Sequence, residues 1–209
     1  MSMWLCIVIG VIAGYLLGNI NGAVIVSRLM QDDVRNHGSG NAGLTNFIRN
    51  YGSGKAIFVI AADALKAVIS CLLTGFLLKP YGMYLEGTVI GGAAVMFGHV
   101  FPVFLHFKGG KGILSGLFIA AVADWRIAVG VLAVFAIVYF ATGYVSLSSL
   151  LGATGFGAGF CIFHHDNLVV MLCGIFMAAL TIFMHRSNIV RLCTGKETKT
   201  NLFSRKKSV

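Results

Sequence analysis

The chain has 209 residues, of which 57% are hydrophobic and only 11% are charged, and its mean hydropathy is +0.87. This balance excludes an ordinary soluble domain of the same length. The formal net charge of +9 does not indicate a nucleic-acid partner, because lysine and arginine in a membrane protein report topology first.

Hydropathy predicts an all-α integral membrane protein whose seven short transmembrane helices form one membrane-embedded domain over residues 1–209. The longest apolar runs, at about 1.5 Å rise per residue, cross most of a hydrocarbon core of roughly 30 Å. The start of the chain lacks the features of a signal peptide, so we expect the first run to remain as a span. The predicted spans cover residues 5–26, 56–78, 87–105, 112–122, 127–142, 147–163 and 168–184.

The charged residues 124–126 decide the number of spans, because they interrupt an apolar stretch that otherwise forms one helix. With a hairpin there and the N-terminus outside, only Lys79 and Arg126 among the loop lysines and arginines fall outside. A single span would export the basic C-terminal tail, about residues 193–209. We therefore expect seven spans with the N-terminus outside and the C-terminus in the cytoplasm.

The first polar segment on the predicted inner face covers residues 34–52. Its glycines allow tight turns, its neutral polar side chains offer hydrogen bonds, and its arginine presents a planar fork suited to phosphate oxygens. A solvated loop of turn residues is the alternative for this segment taken alone. The candidate ligands are Ser39, Asn41, Asn46 and Arg49.

The second segment brings two lysines and three glycines to the start of the predicted fourth span. Free backbone N–H groups at a helix N-terminus beside lysine side chains bind phosphate readily. The spacing of a nucleotide-binding P-loop is absent, so nucleotide hydrolysis is not expected. Topogenic lysines at a membrane boundary are the alternative. The candidate residues are Lys108, Gly109, Gly110, Lys111 and Gly112.

Two shorter segments complete the predicted inner face. Residues 143–149 offer Ser146 and Ser149, although serine also caps helices. Residues 185–197 place His185 and Asn188 three apart, on one side of a helical turn. Four polar segments on one side of the membrane together favour a binding or catalytic site. Turn residues, topogenic lysines and helix caps would each explain only one segment.

The sequence also lacks the residue groups that metal binding and thiol chemistry require. Its seven carboxylates leave no acidic cluster on the inner face that could hold Mg²⁺, and its cysteines form no CxxC pair. We therefore expect no metal and no cofactor. Asp63 and Lys66 lie three residues apart within an apolar run, and a neutralising pair on one helix face is the simpler interpretation of them.

Four motifs occur in a fixed order over nearly the whole chain: RNHGSGNAGLTNFIRNYG, GHVFPVFLHFKGGKG, YVSLSS and HRSNIVRL. In this the chain closely resembles the bacterial acyl-phosphate:glycerol-3-phosphate acyltransferase family (PlsY). The departures are small: Leu44 stands where the family usually has alanine, and Ala67 where glycine is common.

The resemblance implies transfer of an acyl chain from acyl phosphate to the 1-hydroxyl of glycerol 3-phosphate, the first acylation step of phospholipid synthesis. It implies substrate-binding roles for the first two motifs and Ser146, and a metal-independent monomer in the bacterial cytoplasmic (inner) membrane, with its active site on the cytoplasmic side. The implied partners are the two substrates, the lipid bilayer and the enzyme that supplies acyl phosphate. The implied catalytic residues are Lys111, Ser149, His185 and Asn188.

A transporter or channel for organophosphates is the competing class, because it also needs basic loops and polar groups in the membrane. The sequence shows no pair of repeated halves, and its polar groups gather on one side instead of near the membrane midplane. Both features favour the enzyme.

Overall fold

The computed structural model describes residues 1–200 and Leu202, and the regular secondary structure of this part of the chain is all helical. Short 3₁₀ turns join several of the helices. The α-helices are α1 (Met3–Gly18), α2 (Gly22–Leu29), α3 (Leu44–Tyr51), α4 (Ala56–Leu78), α5 (Tyr84–Val100), α6 (Ile113–Ala123), α7 (Trp125–Thr142), α8 (Val145–Phe163), α9 (Leu168–Met184) and α10 (Arg186–Cys193).

Helix length supports most, but not all, of the predicted spans. Five helical segments of the described chain are long and apolar enough to cross a membrane, and α9 with α10, bent by 55°, makes a sixth if the pair counts as one span. The predicted fourth span is α6, which has only 11 residues and at about 1.5 Å per residue is too short to cross a bilayer unaided. The count of seven spans therefore stays a prediction.

The first predicted span, residues 5–26, lies within one candidate span, Met3–Leu29, but its helix is interrupted between α1 and α2. The break at residues 19–21 is stable because polar side chains satisfy its backbone, as membrane-embedded breaks require. Asn21 caps the start of α2, and the Lys66 ammonium donates to the Ile20 carbonyl at 2.7 Å. Asn19 accepts from the loop that follows α5. Hydropathy averaged over a window did not reveal the break, because the apolar neighbours of the two asparagines keep the mean hydropathy high.

Glycines let α5 approach α1 and α4 closely. A Cβ on Gly91 would lie 2.4 Å from the Ser70 carbonyl oxygen, and one on Gly98 would lie 2.2 Å from the Tyr15 carbonyl oxygen. Real side chains cannot occupy such positions, so these glycines are required for packing. The α5 glycines are therefore packing residues.

The bundle buries one large apolar core and exposes apolar side chains around its outside. Met96, Phe160 and Met177 are among the core residues shared by α5, α8 and α9. On the outer surface, Trp4 is 71% exposed and Phe140 is 74% exposed. Large exposed apolar surfaces on a helical bundle fit contact with lipid.

A smaller apolar cluster lies beneath the first polar loop. Ala23 and Val24 of α2, Phe47 and Ile48 of α3, and Val59 of α4 are buried together in it. α3 is held by burial of Phe47 and Ile48 in this cluster, and Asn46 is buried next to them. This arrangement fixes α3, and the residues it carries, beside the main cavity described next.

Candidate active site

The predicted site residues surround a cavity of about 840 Å³ at one end of the bundle. One part of its wall is polar and cationic, and another part is apolar. All of the predicted site residues line it except Lys108, Gly109 and Gly110, so the lining includes Ser39, Asn41, Asn46, Arg49, Lys111, Gly112, Ser146, Ser149, His185 and Asn188.

Asn46 organises the first loop and uses its amide to do so. Its Nδ2 donates to the carbonyl oxygens of Val34, His37 and Asn41, each at 3.0 Å. Its Oδ1 accepts from the Ser39 backbone N–H at 3.0 Å. Asn46 lines the cavity, and its hydrogen bonds hold the loop that presents Ser39 and Asn41, while its predicted contact with substrate stays a prediction.

Gly38 is required by the same loop. Its φ is +58°, and a Cβ there would lie 2.5 Å from the Asn46 Oδ1 atom. An L-residue would be strained in this conformation and would also displace the Asn46 amide. One helical turn beyond Asn46, Arg49 reaches the cavity from α3, as the first motif predicted.

The second loop separates the two predicted lysines. Lys111 lines the cavity directly before α6, whereas Lys108 is exposed and lies outside the lining. Gly109 and Gly110 also lie outside it, because their backbone packs on His99: a Cβ on Gly110 would lie 2.2 Å from the His99 Nε2 atom. These three residues were predicted as ligands; the glycines pack closely in the loop, Lys108 is exposed, and their binding roles stay predictions.

A chain of hydrogen bonds connects the cationic groups of the cavity. The Lys111 ammonium donates to the Asn188 Oδ1 atom, and the Asn188 Nδ2 donates to Glu197 at 3.0 Å. Glu197 also accepts from the Arg191 Nε at 2.7 Å. Since an ammonium only donates and a carboxylate only accepts, the chain fixes the orientation of the Asn188 amide.

Burial is the main reason that the pKa of Lys111 falls to about 8, and the charges of Arg191 and Arg49 lower it further while Glu197 opposes them. Although burial opposes the shift, the hydrogen bonds from Arg191 and Asn188 hold the pKa of the Glu197 carboxyl below its ordinary value. One carboxylate thus partly neutralises several cations, and the excess positive charge suits a phosphate group.

His185 lies at the bend between α9 and α10 with one ring nitrogen already used. Its Nδ1 lies 2.8 Å from the Thr181 carbonyl oxygen. A carbonyl can only accept, so the Nδ1 carries the proton and the neutral ring keeps a lone pair on Nε2. His185 is therefore able to accept a proton from a group in the cavity.

The serines near the start of α8 lie in two different surroundings. Ser148 donates its hydroxyl to the Tyr144 carbonyl at 2.8 Å and serves the helix, whereas Ser146 and Ser149, three residues apart, line the cavity. Within the described residues, Ser149 makes no hydrogen bond to His185. Ser146, Ser149 and His185 line the same cavity, and their roles stay predictions.

The segment that follows α10 folds back over the cavity, which the sequence did not indicate. Thr200 accepts from the Tyr139 hydroxyl at 3.0 Å, its own hydroxyl accepts from Arg49, and the Leu202 N–H donates to Tyr139 at 3.1 Å. The predicted basic tail of residues 193–209 is therefore partly a wall of the site. Its basic residues Arg205, Lys206 and Lys207 lie outside the described residues.

Sequence analysis missed other wall residues as well, namely Arg191, Glu197, Lys199 and Thr200. Glu197 carried a signal, since it is the single acidic residue in an otherwise basic tail. Arg191 stands three residues after Asn188, on the same side of α10.

Asp63 and Lys66 pair as predicted, at 2.7 Å. Their surroundings were not foreseen, because Asp63 and His99 both line the cavity. Asp63 is thus part of the cavity wall, and Lys66 pairs with it from behind the lining. Among the described residues, no three His, Cys, Asp or Glu side chains come together as a group that could hold a metal ion.

A helical membrane bundle with a cationic cavity beside an apolar wall defines a class of membrane protein that handles an anionic, lipid-like ligand. A crystal structure of PlsY (YgiH), an integral membrane glycerol 3-phosphate acyltransferase in its glycerol 3-phosphate form, is similar to this fold with a TM-score of 0.85 at 32% identity, over 93% of this chain and 96% of that one. Its lysophosphatidic acid form is similar with a TM-score of 0.81 at 31% identity, over 94% and 96% of the two chains.

Sequence comparison gives the same result. Glycerol-3-phosphate acyltransferase from Thermoanaerobacter sp. (strain X514) is 40% identical over 92% of this chain and 94% of its own. The enzyme from Finegoldia magna is 37% identical over 92% and 95% of the two chains. Residues 8–195 match the family described as Glycerol-3-phosphate acyltransferase. The chain belongs to this family, and the resemblance stated from its motifs is confirmed.

Proposed function

We propose that the protein transfers an acyl chain from acyl phosphate to the 1-hydroxyl of glycerol 3-phosphate, releasing 1-acyl-glycerol 3-phosphate (lysophosphatidic acid) and inorganic phosphate. The observation that carries this proposal is the two-sided cavity, in which phosphate-binding cations and an apolar wall share one space. Each substrate carries a phosphate and one also carries a long chain, so both kinds of surface are needed.

The polar side of the cavity supports binding of two phosphate groups. Arg49, Lys111, Arg191 and Lys199 line it with Glu197 as the carboxylate that bridges to α10. Arginine forks bind phosphate oxygens in pairs, and a buried ammonium adds a point charge. Two dianions near one another require about this excess of positive charge.

The apolar side supports binding of the acyl chain. Leu114 and Leu117 of α6 and Val131, Leu132 and Phe135 of α7 line it. α7 buries little of its own surface in the bundle, so the α6–α7 side of the cavity adjoins the lipid-facing surface. A chain entering there would place its activated carbonyl next to the cationic side.

We infer a direct transfer. The 1-hydroxyl oxygen forms a bond to the acyl carbon, the bond between that carbon and the phosphate oxygen breaks, and phosphate leaves. The hydroxyl proton goes either to the departing phosphate or to the free Nε2 of His185. Because acyl phosphate is already activated, positioning and charge stabilisation by Lys111 and Asn188 are sufficient. We propose no metal step.

A covalent acyl-enzyme on Ser149 is the alternative mechanism. It would need a base within hydrogen-bond reach of the hydroxyl, and Ser149 makes no hydrogen bond to His185 in the described part of the chain. Direct transfer predicts that Ser149→Ala and His185→Ala reduce activity without erasing it.

We further propose that the protein acts as a monomer. The loops of the site carry most of the positive charge, which supports a position on the cytoplasmic side of the bacterial inner membrane. Acyl phosphate would have to come from an enzyme that forms this mixed anhydride, and that enzyme is the expected partner.

The test uses detergent-purified protein with acyl phosphate and glycerol 3-phosphate. Phosphate release that requires both substrates supports the proposal, and it should persist in EDTA. Repeated turnover that releases phosphate without glycerol 3-phosphate would contradict the assigned acceptor, and use of an acyl thioester in place of acyl phosphate would contradict the assigned donor. Mass spectrometry after incubation with acyl phosphate alone separates the mechanisms, since an adduct on Ser149 that chases into lysophosphatidic acid would replace direct transfer with the covalent route.

A further inference from the structure

Three ionisable side chains are buried together in the wall of the cavity. Asp63 and Lys66 of α4 are each 2% exposed, and His99 of α5 is 4% exposed. The Lys66 Nζ lies 2.7 Å from the Asp63 Oδ1 and 2.6 Å from the His99 Nδ1. It also donates to the Ile20 carbonyl at 2.7 Å. A charge buried this deeply in a membrane bundle marks a functional device.

The contacts fix the proton of the His99 ring. Beside the Asp63 carboxylate the Lys66 amine is an ammonium, which has three donors and no acceptor. Each donor has a partner, so the His99 Nδ1 must be the accepting nitrogen. The ring therefore carries its proton on Nε2, and this atom is turned toward the second loop and away from α4.

The second loop rests directly on His99. The Gly110 N–H donates to the His99 carbonyl at 3.1 Å. A Cβ on Gly110 would lie 2.2 Å from the His99 Nε2, and a Cβ on Gly109 would lie 2.0 Å from the His99 carbonyl oxygen. Lys111 follows at once in the chain and enters the cavity. The backbone before Lys111 is thus bonded to the His99 carbonyl and packs closely against the His99 ring.

We propose that Asp63 and Lys66 act through His99 as a positioning device, which holds the loop at residues 109–111 so that the Lys111 ammonium faces the bound phosphate. The inference rests on the proposed use of glycerol 3-phosphate and assigns new positioning residues to that site. None of the three residues need touch the substrate to affect its binding.

A purely structural role is the competing explanation, because Lys66 also satisfies the break between α1 and α2. Two substitutions of His99 separate the roles. His99→Asn keeps an acceptor near the Nδ1 position for Lys66 but removes the contact with the loop. His99→Gln keeps a donor near the Nε2 position but leaves Lys66 with one unpaired donor.

The experiment measures the binding of glycerol 3-phosphate to the purified full chain, with no acyl donor present, together with the unfolding temperature of the ligand-free protein. We expect His99→Asn to unfold near the wild-type temperature but to bind glycerol 3-phosphate about tenfold to a hundredfold more weakly, as a displaced binding group does. His99→Gln should bind more tightly than His99→Asn and unfold at a lower temperature.

Dependence on Lys111 is the decisive control. In a Lys111→Ala background, His99→Asn should change the remaining binding less than twofold. The double variant Asp63→Asn/Lys66→Met removes both charges without leaving either unpaired. It should also weaken the binding of glycerol 3-phosphate, and it replaces His99→Asn in this test if that variant does not fold. Wild-type affinity in these variants, or an equal loss with and without Lys111, would overturn the proposal. A wild-type protein that binds no glycerol 3-phosphate would instead contradict the proposed function, whereas failure of acyl phosphate as donor would leave this test intact.

Discussion

Lys108 and Lys111 are three residues apart in one loop but lie in different surroundings. Lys111 lines the cavity and donates to Asn188, whereas Lys108 is exposed outside the lining. We expect Lys111→Ala to lower kcat/KM by roughly thirtyfold to a thousandfold, because losing a charged contact in a partly desolvated site costs on the order of 2 to 4 kcal/mol. Lys108→Ala is the matched control and should remain near wild type. Steady-state kinetics check both, and the reverse result would mean that the two lysines exchange roles.

The pH dependence of turnover should report Lys111. Burial lowers the pKa of its ammonium to about 8, so the charged form, which binds phosphate, is lost as pH rises through that value. We expect kcat/KM for glycerol 3-phosphate to fall above about pH 8. In kcat the fall should begin at higher pH, because a bound dianion stabilises the ammonium.

The control for this profile is Lys111→Arg, which keeps a positive charge over the whole range. Any activity it retains should show no decline near pH 8. If activity still declines near pH 8 in Lys111→Arg, a group other than Lys111 causes the decline.

At the scale of elements, α6 and the turn after it decide the topology. α6 has 11 residues, and Asp124 caps α7 by accepting from the Arg126 N–H. The positive-inside tendency places this turn outside. A cysteine introduced as Ala123→Cys should react with an impermeant thiol reagent only from the outer side. The native Cys193, which is exposed in α10, is the internal control and should react only from the cytoplasm. Reaction of both from one side would contradict the seven-span arrangement.

Hydropathy predicted the long helices, but it did not predict the short polar helices. The bounds of α4 and α9 agree with the predicted spans 56–78 and 168–184, because long uniform apolar runs permit few alternatives. α3 and α10 have eight residues each and depend on packing for their stability. A pattern of only eight residues is too short to predict either helix from the sequence.

The site was predictable where motif chemistry and position agreed, and less so where contacts are long-range. Ser149, His185 and Lys111 were predicted from polar segments at the ends of apolar runs and from the family resemblance, and all three line the cavity. His99 was missed because a histidine inside an apolar helix gives no sign of the lysine and loop that contact it. Thr200 was missed because its partners, Arg49 and Tyr139, are distant in sequence.

At the scale of the whole molecule, distant parts of the chain are needed to form one cavity. The first loop with α3, the second loop with α6, the start of α8, and α10 with the segment after it each supply part of the wall. The glycine contacts of α5 with α1 and α4 hold the frame on which these parts are placed. The site is thus a product of the full bundle and not of one motif.

The Asp63–Lys66 pair also bears on how α4 enters the membrane. An isolated aspartate or lysine at the centre of a helix costs about 2.5 to 3.5 kcal/mol on insertion scales. These two residues are three apart on one helix, so they neutralise each other as soon as α4 is helical, before α5 brings His99 beside them. Biogenesis and substrate positioning therefore share one charge pair, and a substitution of only one partner would leave an unpaired charge in α4 already during insertion.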